Sequence, residues 1–279
     1  MLDHLDRYKI LSSLNLGFRS GYSCETQLVV TAHDLLGYND RNKQVDTMIL
    51  DFSKAFDTVP HQRLLLKLEN YGIRGPILNW IANFLTQREM CVVVECEKSR
   101  QAPVGSGVPQ GTVLGPLLFL CHINDLPERV KSHIRLFADD CLLYRAINTI
   151  KDHHILQQDL DNLHQWAQDW GMKFNAKKCY LLSTKSKSSF FYTIDNQILK
   201  QVQENPFLGI IFSDDLKWKS HINNITKRAN STLGFLRRNL RHCPLSCRKN
   251  AYISLICSKL EYARGVLSGI HICKATYTS

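Results

Sequence analysis

The sequence predicts an α+β fold in which a mainly antiparallel sheet is backed by helices and followed by a basic helical lobe. Helical and strand patterns mix along the chain without a regular βαβ repeat. Proline and glycine mark the ends of several helical patterns. The charge also changes, because residues 216–260 are strongly basic whereas the rest of the chain is neutral.

Four helices are predicted from these end signals and from apolar spacing. Pro60 and Pro76 are expected near helix starts, since a first-turn residue needs no N–H partner. A third helix is expected from about Asp152 to Trp170, with leucines on one stripe and Gly171 at its end. The fourth begins near His221 and carries much of the basic charge.

Strands are predicted where short runs are rich in apolar or β-branched residues. These runs are 45–52, 91–96, the two arms around Asp139 and Asp140, 178–183 and 205–212.

Composition limits the class of protein. The 279 residues are enough for a sizeable core and one or two domains. No run of 18 or more apolar residues occurs, and the start MLDHLDRYKI lacks the apolar core of a signal peptide. We therefore expect an intracellular protein with ten reduced cysteines. A structural zinc site is not expected, because the spacing of His242, Cys243, Cys247, His271 and Cys273 matches no common pattern.

The basic segment indicates a polyanionic partner. Residues 216–260 contain ten Lys and Arg and no Asp or Glu, which leaves 25 basic and 25 acidic residues elsewhere. A solvated helix face is the simpler interpretation of a charge run alone. A run of this length without an acid favours a nucleic-acid surface.

Two adjacent carboxylates, Asp139 and Asp140, stand inside the apolar segment IRLFADDCLLY (134–144). Asp pairs are common in exposed turns, but the apolar flanks here predict a largely buried hairpin with the pair at its tip. Adjacent residues of a straight strand point to opposite faces, whereas a tight tip can bring both near one site. Because ionised carboxylates repel each other, solvent, a raised pKa or a cation must offset the repulsion.

A second acidic group, in LDFSKAFD (50–57), ends the strand pattern 45–52. An EF-hand calcium loop is excluded, since Phe56 stands where that loop needs glycine. If strand 45–52 neighbours the hairpin, Asp51 converges with Asp139 and Asp140. Three carboxylates on rigid strands can bind two Mg²⁺ ions about 3.5–4 Å apart, the arrangement used for in-line phosphoryl chemistry.

A glycine-rich segment lies between the two acidic groups. Four of the fourteen glycines fall in residues 105–115. No Gly-Lys-Ser/Thr follows, so the segment is not a P-loop. Glycines let the backbone approach a ligand closely, and Gln110 offers both donors and acceptors. A plain flexible loop is the alternative.

These three motifs, LDFSKAFDTVPH (50–61), GVPQGTVLGPLLF (107–119) and FADD (137–140), resemble in this order the palm motifs of reverse transcriptases. They are most similar to those of non-LTR (LINE-type, jockey-like) retrotransposon polymerases. Further segments match in the family's order: GFRSGYSCETQL (17–28), HINDLP (122–127), WGMKFNAKKC (170–179), FLGIIFSDDLKW (207–218), LRRNLRHCP (236–244) and AYISLICSKLEYA (251–263).

The resemblance covers nearly the whole chain and implies a right-hand polymerase with partial fingers, an antiparallel-sheet palm and a helical thumb. Fingers and palm would occupy 1–213. The fingers would comprise 1–45 and about 64–104, and the palm about 46–63 and 105–213. Residues 214–279 would form the basic thumb and the segment after it. The chain begins just ahead of GFRSGYS, so we expect fingers truncated at the N-terminus.

The resemblance also implies a catalytic role for each matching residue. Asp51, Asp139 and Asp140 would be the catalytic carboxylates that bind two Mg²⁺ ions, with Mn²⁺ as an alternative, and the Phe52 carbonyl would be a further ligand. Lys178 matches a lysine that protonates the pyrophosphate leaving group. The adjacent Lys177 leaves a merely solvated lysine as the alternative.

Nucleotide and primer contacts are implied in the same way. Phe56 would be the sugar gate that rejects a 2′-hydroxyl, with a core aromatic as the alternative. Gln110 and Gly111 would contact the incoming nucleotide and template, and Arg19 the triphosphate. Leu208–Gly209 would form the primer grip, although core packing is an alternative.

The implied function is that of an RNA-directed DNA polymerase from a mobile element. Its partners would be template RNA, a DNA primer and deoxynucleoside triphosphates, in the cytoplasm and/or nucleus and without a membrane. Two alternatives stay open: a truncated, catalytically silent nucleic-acid-binding remnant, and a protein like a group II intron maturase. The oligomeric state is not predicted.

Overall fold

A computed structural model of the chain describes residues 1–185 and 190–267. Its α-helices are α1 (Leu2–Arg7), α2 (Cys24–Asp40), α3 (Ala55–Thr58), α4 (His61–Asn70), α5 (Pro76–Thr86), α6 (Leu114–Ile123), α7 (Ile150–Trp170), α8 (Lys219–Asn239), α9 (Leu245–Tyr252) and α10 (Ser258–Glu261). Short 3₁₀ turns occur at Leu126–Arg129 and Ala176–Lys178, and a π-helical turn at Ile253–Cys257 joins α9 to α10.

The strands are β1 (Gln44–Leu50), β2 (Glu89–Met90), β3 (Val93–Val94), β4 (Glu97–Lys98), β5 (Ala102–Pro103), β6 (His133–Phe137), β7 (Asp140–Ile147), β8 (Tyr180–Thr184), β9 (Thr193–Ile194), β10 (Gln197–Ile198), β11 (Lys200–Val202), β12 (Glu204–Phe207) and β13 (Ile210–Ser213). Five of them form one sheet in the order β11–β8–β1–β7–β6. The pairs β6–β7, β9–β10, β12–β13, β2–β5 and β3–β4 are antiparallel. The α+β prediction is therefore confirmed.

The described residues divide into two compact units. The first comprises 1–23, 46–181 and 190–200, and the second comprises 24–45, 182–185 and 201–267. The assignment of fingers, palm and thumb to ranges of the chain stays a prediction.

The core of the first unit lies between the sheet and its helices. The five residues of β1 that belong to this unit, 46–50, are all buried, as expected for an interior strand covered on both faces. Trp166 of α7 and Phe119 of α6 are among the largest side chains that are almost fully buried here. A close-packed core of this kind holds the strand ends in fixed positions.

The second unit contains a small helical core. Ala229 and Leu236 of α8 pack with Ile256 of the π-helical turn. Most of the basic side chains of α8 and α9 are exposed around this core. Along the described ranges, no helix has the length and apolar character needed to cross a membrane.

The four predicted helices are confirmed as α4, α5, α7 and α8. Thr149 and Asp152 form a capping box at the start of α7. Gly171 ends the helix in the left-handed conformation, at φ +72°. These ends follow from local chemistry, which is why the sequence predicts them.

Two strand predictions are wrong in the same way. The run 91–96 is not one strand, because Glu95 and Cys96 turn the chain between β3 and β4 with positive φ. The run 205–212 is likewise a hairpin, with Leu208–Gly209 between β12 and β13. Apolar composition alone does not distinguish a strand from a tight hairpin of two short ones.

Candidate active site

The hairpin β6–β7 carries the predicted catalytic pair. Phe137 pairs with Asp140, so Ala138 and Asp139 form a two-residue turn. Ala138 has φ +54°, in the left-handed region that suits such tight hairpin turns. Asp139 is half-buried in the turn, and Asp140 is the exposed first residue of β7. The hairpin prediction is therefore confirmed.

Asp51 lies just beyond the end of β1, the neighbour of β7 in the sheet. Its negative charge acts on the carboxyl groups of both Asp139 and Asp140. Asp51 thus follows the strand that neighbours β7, within the first unit. The position of Asp51 follows from the strand order. The sequence alone could not predict that β1 neighbours the hairpin.

Asp139 and Asp140 show the raised pKa values expected of carboxyl groups held close together. Partial burial raises the pKa of Asp140 to about 6, and the charges of Asp139 and Asp51 add to the effect. Burial also raises the pKa of Asp139, against a lowering from a backbone hydrogen bond. Asp140 keeps a solvent-exposed face, so water screens part of the repulsion. A bound cation would offset the remaining repulsion between the carboxylates.

Lys178 lies beside Asp51. Its Nζ is 3.7 Å from an Asp51 carboxylate oxygen, while 66% of the Lys178 side chain is exposed. An exposed pair of this kind contributes little to stability, which leaves the ammonium group available to a ligand. The neighbouring Lys177 is exposed, and Lys178 is the lysine that the structure places beside Asp51.

The three acids offer oxygen donors but do not form a closed cage for a metal ion. Nowhere along the described ranges do three or more His, Cys, Asp or Glu side chains form a ready group of metal ligands. Mg²⁺ keeps several waters and is usually bound by one or two carboxylates together with substrate phosphates. The hard oxygen donors of Asp51, Asp139 and Asp140 suit such an open site. Among the zinc candidates, His271 and Cys273 lie outside the described residues.

The backbone around Phe52 is held by a bridge to Phe174. The Asn175 N–H donates to the Asp51 carbonyl and the Ser53 N–H donates to the Lys173 carbonyl, both at 2.8 Å. These bonds do not use the Phe52 carbonyl. The Phe52 ring is buried and stacks on Phe174 at 4.2 Å. The structure therefore fixes the position of the predicted backbone ligand.

Phe56 is half-buried on α3, in the same segment as Asp51. Its ring stacks on Phe119 with centroids 4.3 Å apart, and the edge of Phe18 approaches at 6.1 Å. A ring held on two sides is rigid, which a steric gate requires. The core-aromatic alternative also explains the stack.

The glycine-rich segment packs against the segment that carries Phe56. The Val108 N–H donates to the Phe56 carbonyl at 2.8 Å. Gly107 has φ +86°, and a Cβ there would lie 2.7 Å from the Asp57 carbonyl oxygen. The exposed Gln110 donates through Nε2 to Asp57 at 3.2 Å. The segment is therefore a fixed loop at this part of its length, rather than a plain flexible one.

Asp57 of α3 is a polar partner of this loop, and sequence reasoning gave it no role. Besides the Gln110 bond, its carbonyl accepts from Ser106 Oγ at 2.8 Å. The signal was present, since Asp57 ends the acidic segment that begins at Asp51. Gly111 is exposed with φ +79° and open space around its Cβ position, so an L side chain there is strained rather than blocked.

Arg19 belongs to the first unit and is half-buried. Its guanidinium donates to the Ser12 carbonyl at 2.9 Å and lies 5.7 Å from the centre of the Tyr22 ring. Contact with a triphosphate would require Arg19 to exchange or share this bond.

Leu208 and Gly209 form the turn of a hairpin in the second unit. Both have positive φ, +46° and +81°. The Tyr262 hydroxyl donates to the Leu208 carbonyl at 2.7 Å, and a Cβ on Gly209 would lie 2.9 Å from the Tyr262 ring. Gly209 is exposed and Leu208 half-buried, so core packing does not explain this pair.

Comparison with known protein families shows which family the chain belongs to. A profile described as reverse transcriptase (RNA-dependent DNA polymerase) matches residues 1–212. The chain belongs to the reverse transcriptase family. The predicted resemblance is thereby confirmed for the family.

The curated relatives of this reverse transcriptase chain come from mobile elements. It is 29% identical over 274 residues to the RNA-directed DNA polymerase from mobile element jockey of Drosophila melanogaster. That match covers 92% of this chain and 30% of the jockey polymerase. The probable RNA-directed DNA polymerase from transposon BS of the same species is 29% identical over 84% of this chain and 27% of its own length. The reverse transcriptase chain thus spans less than a third of these relatives.

Solved telomerase structures share the fold. Apo telomerase from Candida tropicalis superposes with a TM-score of 0.55 at 12% identity, covering 96% of this chain and 50% of that one. Telomerase from Candida albicans, in complex with a TWJ fragment of telomeric RNA, gives a TM-score of 0.52 at 13% identity, covering 94% and 44%. At these identities the likeness shows the fold of the reverse transcriptase and nothing of its ligands.

Proposed function

We propose that this chain is the polymerase part of a mobile element and performs RNA-directed DNA synthesis. The observation that supports the proposal is the position of Asp51 at the end of β1, the strand next to the β6–β7 hairpin of Asp139 and Asp140, in a chain of the reverse transcriptase family. The substrates would be deoxynucleoside triphosphates, with template RNA and a DNA primer as partners. The reaction would take place in the cytoplasm and/or the nucleus, where these substrates and nucleic acids are found.

The carboxylates would hold the divalent cations of this reaction. Asp51, Asp139, Asp140 and the Phe52 carbonyl offer hard oxygen ligands suited to two Mg²⁺ ions, with Mn²⁺ as an alternative. When bound, such ions lower the pKa of the attacking primer 3′-hydroxyl and stabilise the leaving phosphate. The rigid ends of β1 and β7 would keep the ligand oxygens in place during nucleotide addition.

Lys178 would act on the leaving group. Its exposed ammonium group, close to Asp51, can donate a proton to the pyrophosphate oxygen that is released. A Lys178→Arg substitution would keep the charge but not the readily lost proton. We therefore expect that variant to slow nucleotide addition while leaving nucleotide binding nearly unchanged.

The incoming nucleotide would contact Phe56, Gln110, Gly111 and Arg19. Phe56 would exclude a 2′-hydroxyl by bulk, held rigid by its stack on Phe119. Gln110 would face the nucleotide and template with its amide supported by Asp57. The Leu208–Gly209 turn, a tight hairpin whose Gly209 is exposed, would support the primer end.

Primer extension tests the proposal. Purified chain, an annealed DNA primer on an RNA template, Mg²⁺ and deoxynucleotides are combined, and the same assay is run on Asp139→Asn/Asp140→Asn. A matched control is Asp3→Asn/Asp6→Asn, which makes the same change of charge on the exposed face of α1. We expect extension by the wild type and the control and none by the first variant.

Three outcomes of this assay would contradict parts of the proposal or favour its alternative. A folded wild-type chain that binds primer–template yet extends nothing would contradict the polymerase proposal. RNA affinity unchanged in Asp139→Asn would then support the silent nucleic-acid-binding remnant. Extension retained in Asp139→Asn/Asp140→Asn would instead contradict the assignment of the metal-binding carboxylates.

A further inference from the structure

The turn that carries Asp139 is braced by a segment near the N-terminus. Asn15 forms a parallel bridge with Leu136 of β6. The Leu16 N–H donates to the Leu136 carbonyl at 3.1 Å, and the Leu136 N–H donates to the Leu14 carbonyl at 2.9 Å. Residues 14–16 thus add a short stretch of strand beside β6, on the arm that leads to the turn.

The side chain of Asn15 reaches the turn itself. Its Oδ1 accepts hydrogen bonds from the Ala138 N–H and the Gly17 N–H, each at 3.1 Å. Both partners are donors, so the oxygen and not the nitrogen of the amide must face them. Asn15 is only 5% exposed, which protects both bonds from competing water.

The Asn15 side chain contributes through its amide oxygen and not through its amide nitrogen. Its Nδ2 is buried and has no hydrogen-bond partner in the described residues. A residue that only filled space would be apolar and would avoid leaving that group unpaired. The two bonds to Oδ1 are what this side chain contributes.

Gly17 completes the brace by close approach. A Cβ at this position would lie 2.3 Å from the Ala138 nitrogen and 2.9 Å from the Phe137 carbonyl carbon. These are backbone atoms, which cannot turn aside as a side chain can. The turn therefore rests directly against the backbone of residue 17.

We propose that Asn15 is a positioning residue that, with Gly17, holds the Ala138–Asp139 turn so that Asp139 can act as a metal ligand. The inference rests on the proposed polymerase function. Ala138 has a backbone conformation that L residues seldom adopt, and it needs outside support. Asn15 supplies that support one residue away from the carboxylate. A ligand moved by about 1 Å can cost on the order of 100-fold in rate.

Four variants separate positioning from folding. Asn15→Leu keeps the size and removes the acceptor, whereas Asn15→Asp keeps an oxygen for both N–H groups. Gly17→Ala pushes on the same turn by steric contact. Gly37→Ala is the matched control, because a Cβ there meets nothing within 4 Å.

Two measurements are made on each variant. The first is steady-state primer extension as a function of Mg²⁺ concentration, with kcat, the KM for deoxynucleotide and the Kd for primer–template. The second is amide hydrogen exchange, read on the peptide that spans residues 136–141 and on a peptide within α7. Exchange requires no catalysis and reports the turn directly.

We expect Asn15→Leu and Gly17→Ala to lower kcat and to raise the half-saturating Mg²⁺ concentration by about 10-fold to 100-fold, the usual effect of losing support for a metal ligand. Primer–template affinity should not change. Exchange should quicken at residues 136–141 and not in α7. Asn15→Asp should keep slow exchange at the turn, and Gly37→Ala should match the wild type throughout.

Wild-type Mg²⁺ dependence and wild-type exchange at the turn in Asn15→Leu would overturn the inference. Faster exchange everywhere with unchanged Mg²⁺ dependence would also overturn it, since that is loss of stability alone. A wild-type chain that extends no primer would contradict the proposed function. Exchange at the turn would still decide whether Asn15 and Gly17 hold it.

Discussion

Asp140 is placed where its charge is unfavourable in the absence of a cation. Its pKa rises from 3.8 to about 6, mainly through burial, with Asp139 and Asp51 adding to the shift. A carboxyl group with a raised pKa binds its proton more tightly in the folded state than in the unfolded state. The stability of the metal-free protein therefore falls as pH rises from about 4 through 6.

Asp140→Asn should accordingly raise the melting temperature of the metal-free protein at pH 7.5. Added Mg²⁺ should raise the melting temperature of the wild type and have little effect on the variant, since ligand binding stabilises only a competent site. Thermal melts in EDTA and in Mg²⁺ measure both effects. Asp3→Asn is the control, and a variant that melts lower than the wild type in EDTA would refute the expectation.

The proposed role of Phe56 as a steric gate can be tested separately from its role in packing. Phe56→Val should increase ribonucleotide use relative to deoxynucleotide use by about 10-fold or more, because one lost clash is worth roughly 1–3 kcal/mol. The variant also loses the stack on Phe119, worth about 0.5–1.5 kcal/mol beyond the buried area. The measurement is the ratio of kcat/KM for the two nucleotide types.

Phe56→Tyr serves as the companion, since it keeps the bulk of the ring. An unchanged ratio in Phe56→Val, together with reduced stability, would identify the ring as a core aromatic only.

At the scale of elements, an ion pair between a buried lysine and a half-buried carboxylate ties α4 to the segment that follows α6. Lys67 is 3% exposed, donates to the Asp125 carboxylate, and lies 3.7 Å from the centre of the Trp170 ring. Burial lowers the pKa of Lys67 to about 8, against the raising effect of Asp125. Asp125 belongs to the segment HINDLP (122–127), so this family motif serves packing in the first unit.

Lys67→Ala should destabilise the fold by about 1.5–3 kcal/mol, since the half-buried Asp125 carboxylate loses a charge-assisted hydrogen bond. Lys67→Met/Asp125→Asn should recover part of the loss by removing both charges. The exposed Lys151→Ala is the control and should stay within about 0.5 kcal/mol of the wild type. Urea unfolding followed by tryptophan fluorescence measures all three, and a loss in Lys67→Ala no larger than the control's would contradict the pairing.

At the scale of the whole molecule, the basic segment is presented to solvent. Nine of its ten Lys and Arg residues are exposed, and Lys259 is half-buried with a hydrogen bond to Thr232. Such a surface neutralises backbone phosphates without reading sequence. Its contribution to binding should therefore depend steeply on salt.

Arg237→Gln/Arg238→Gln should weaken RNA binding for every sequence tested and reduce the slope of log K against log salt by about 1.4, or roughly 0.7 per lost contact on a single strand. Titrations from low to moderate salt measure that slope. Lys43→Gln/Lys151→Gln is the control outside the segment. An equal change of slope in the control would contradict a role specific to the basic segment.

The sequence by itself determined what depends on local chemistry. Helix ends followed from proline and glycine, and Asp51, Asp139 and Asp140 were singled out because acids interrupt apolar strand patterns. The family followed from the order of short motifs, which needs no coordinates. The same local logic failed at 91–96 and 205–212, where a two-residue turn with positive φ is hidden inside an apolar run.

Only the tertiary structure decided what depends on pairing between distant parts of the chain. The order of β1 and β7 brings Asp51 to the hairpin, and no local pattern specifies that order. Lys178 rather than Lys177 meets Asp51, and Asn15 reaches Ala138 across more than a hundred residues of chain. Such contacts arise because burying the apolar faces selects one arrangement of the strands, and the polar groups at their ends are carried along with it.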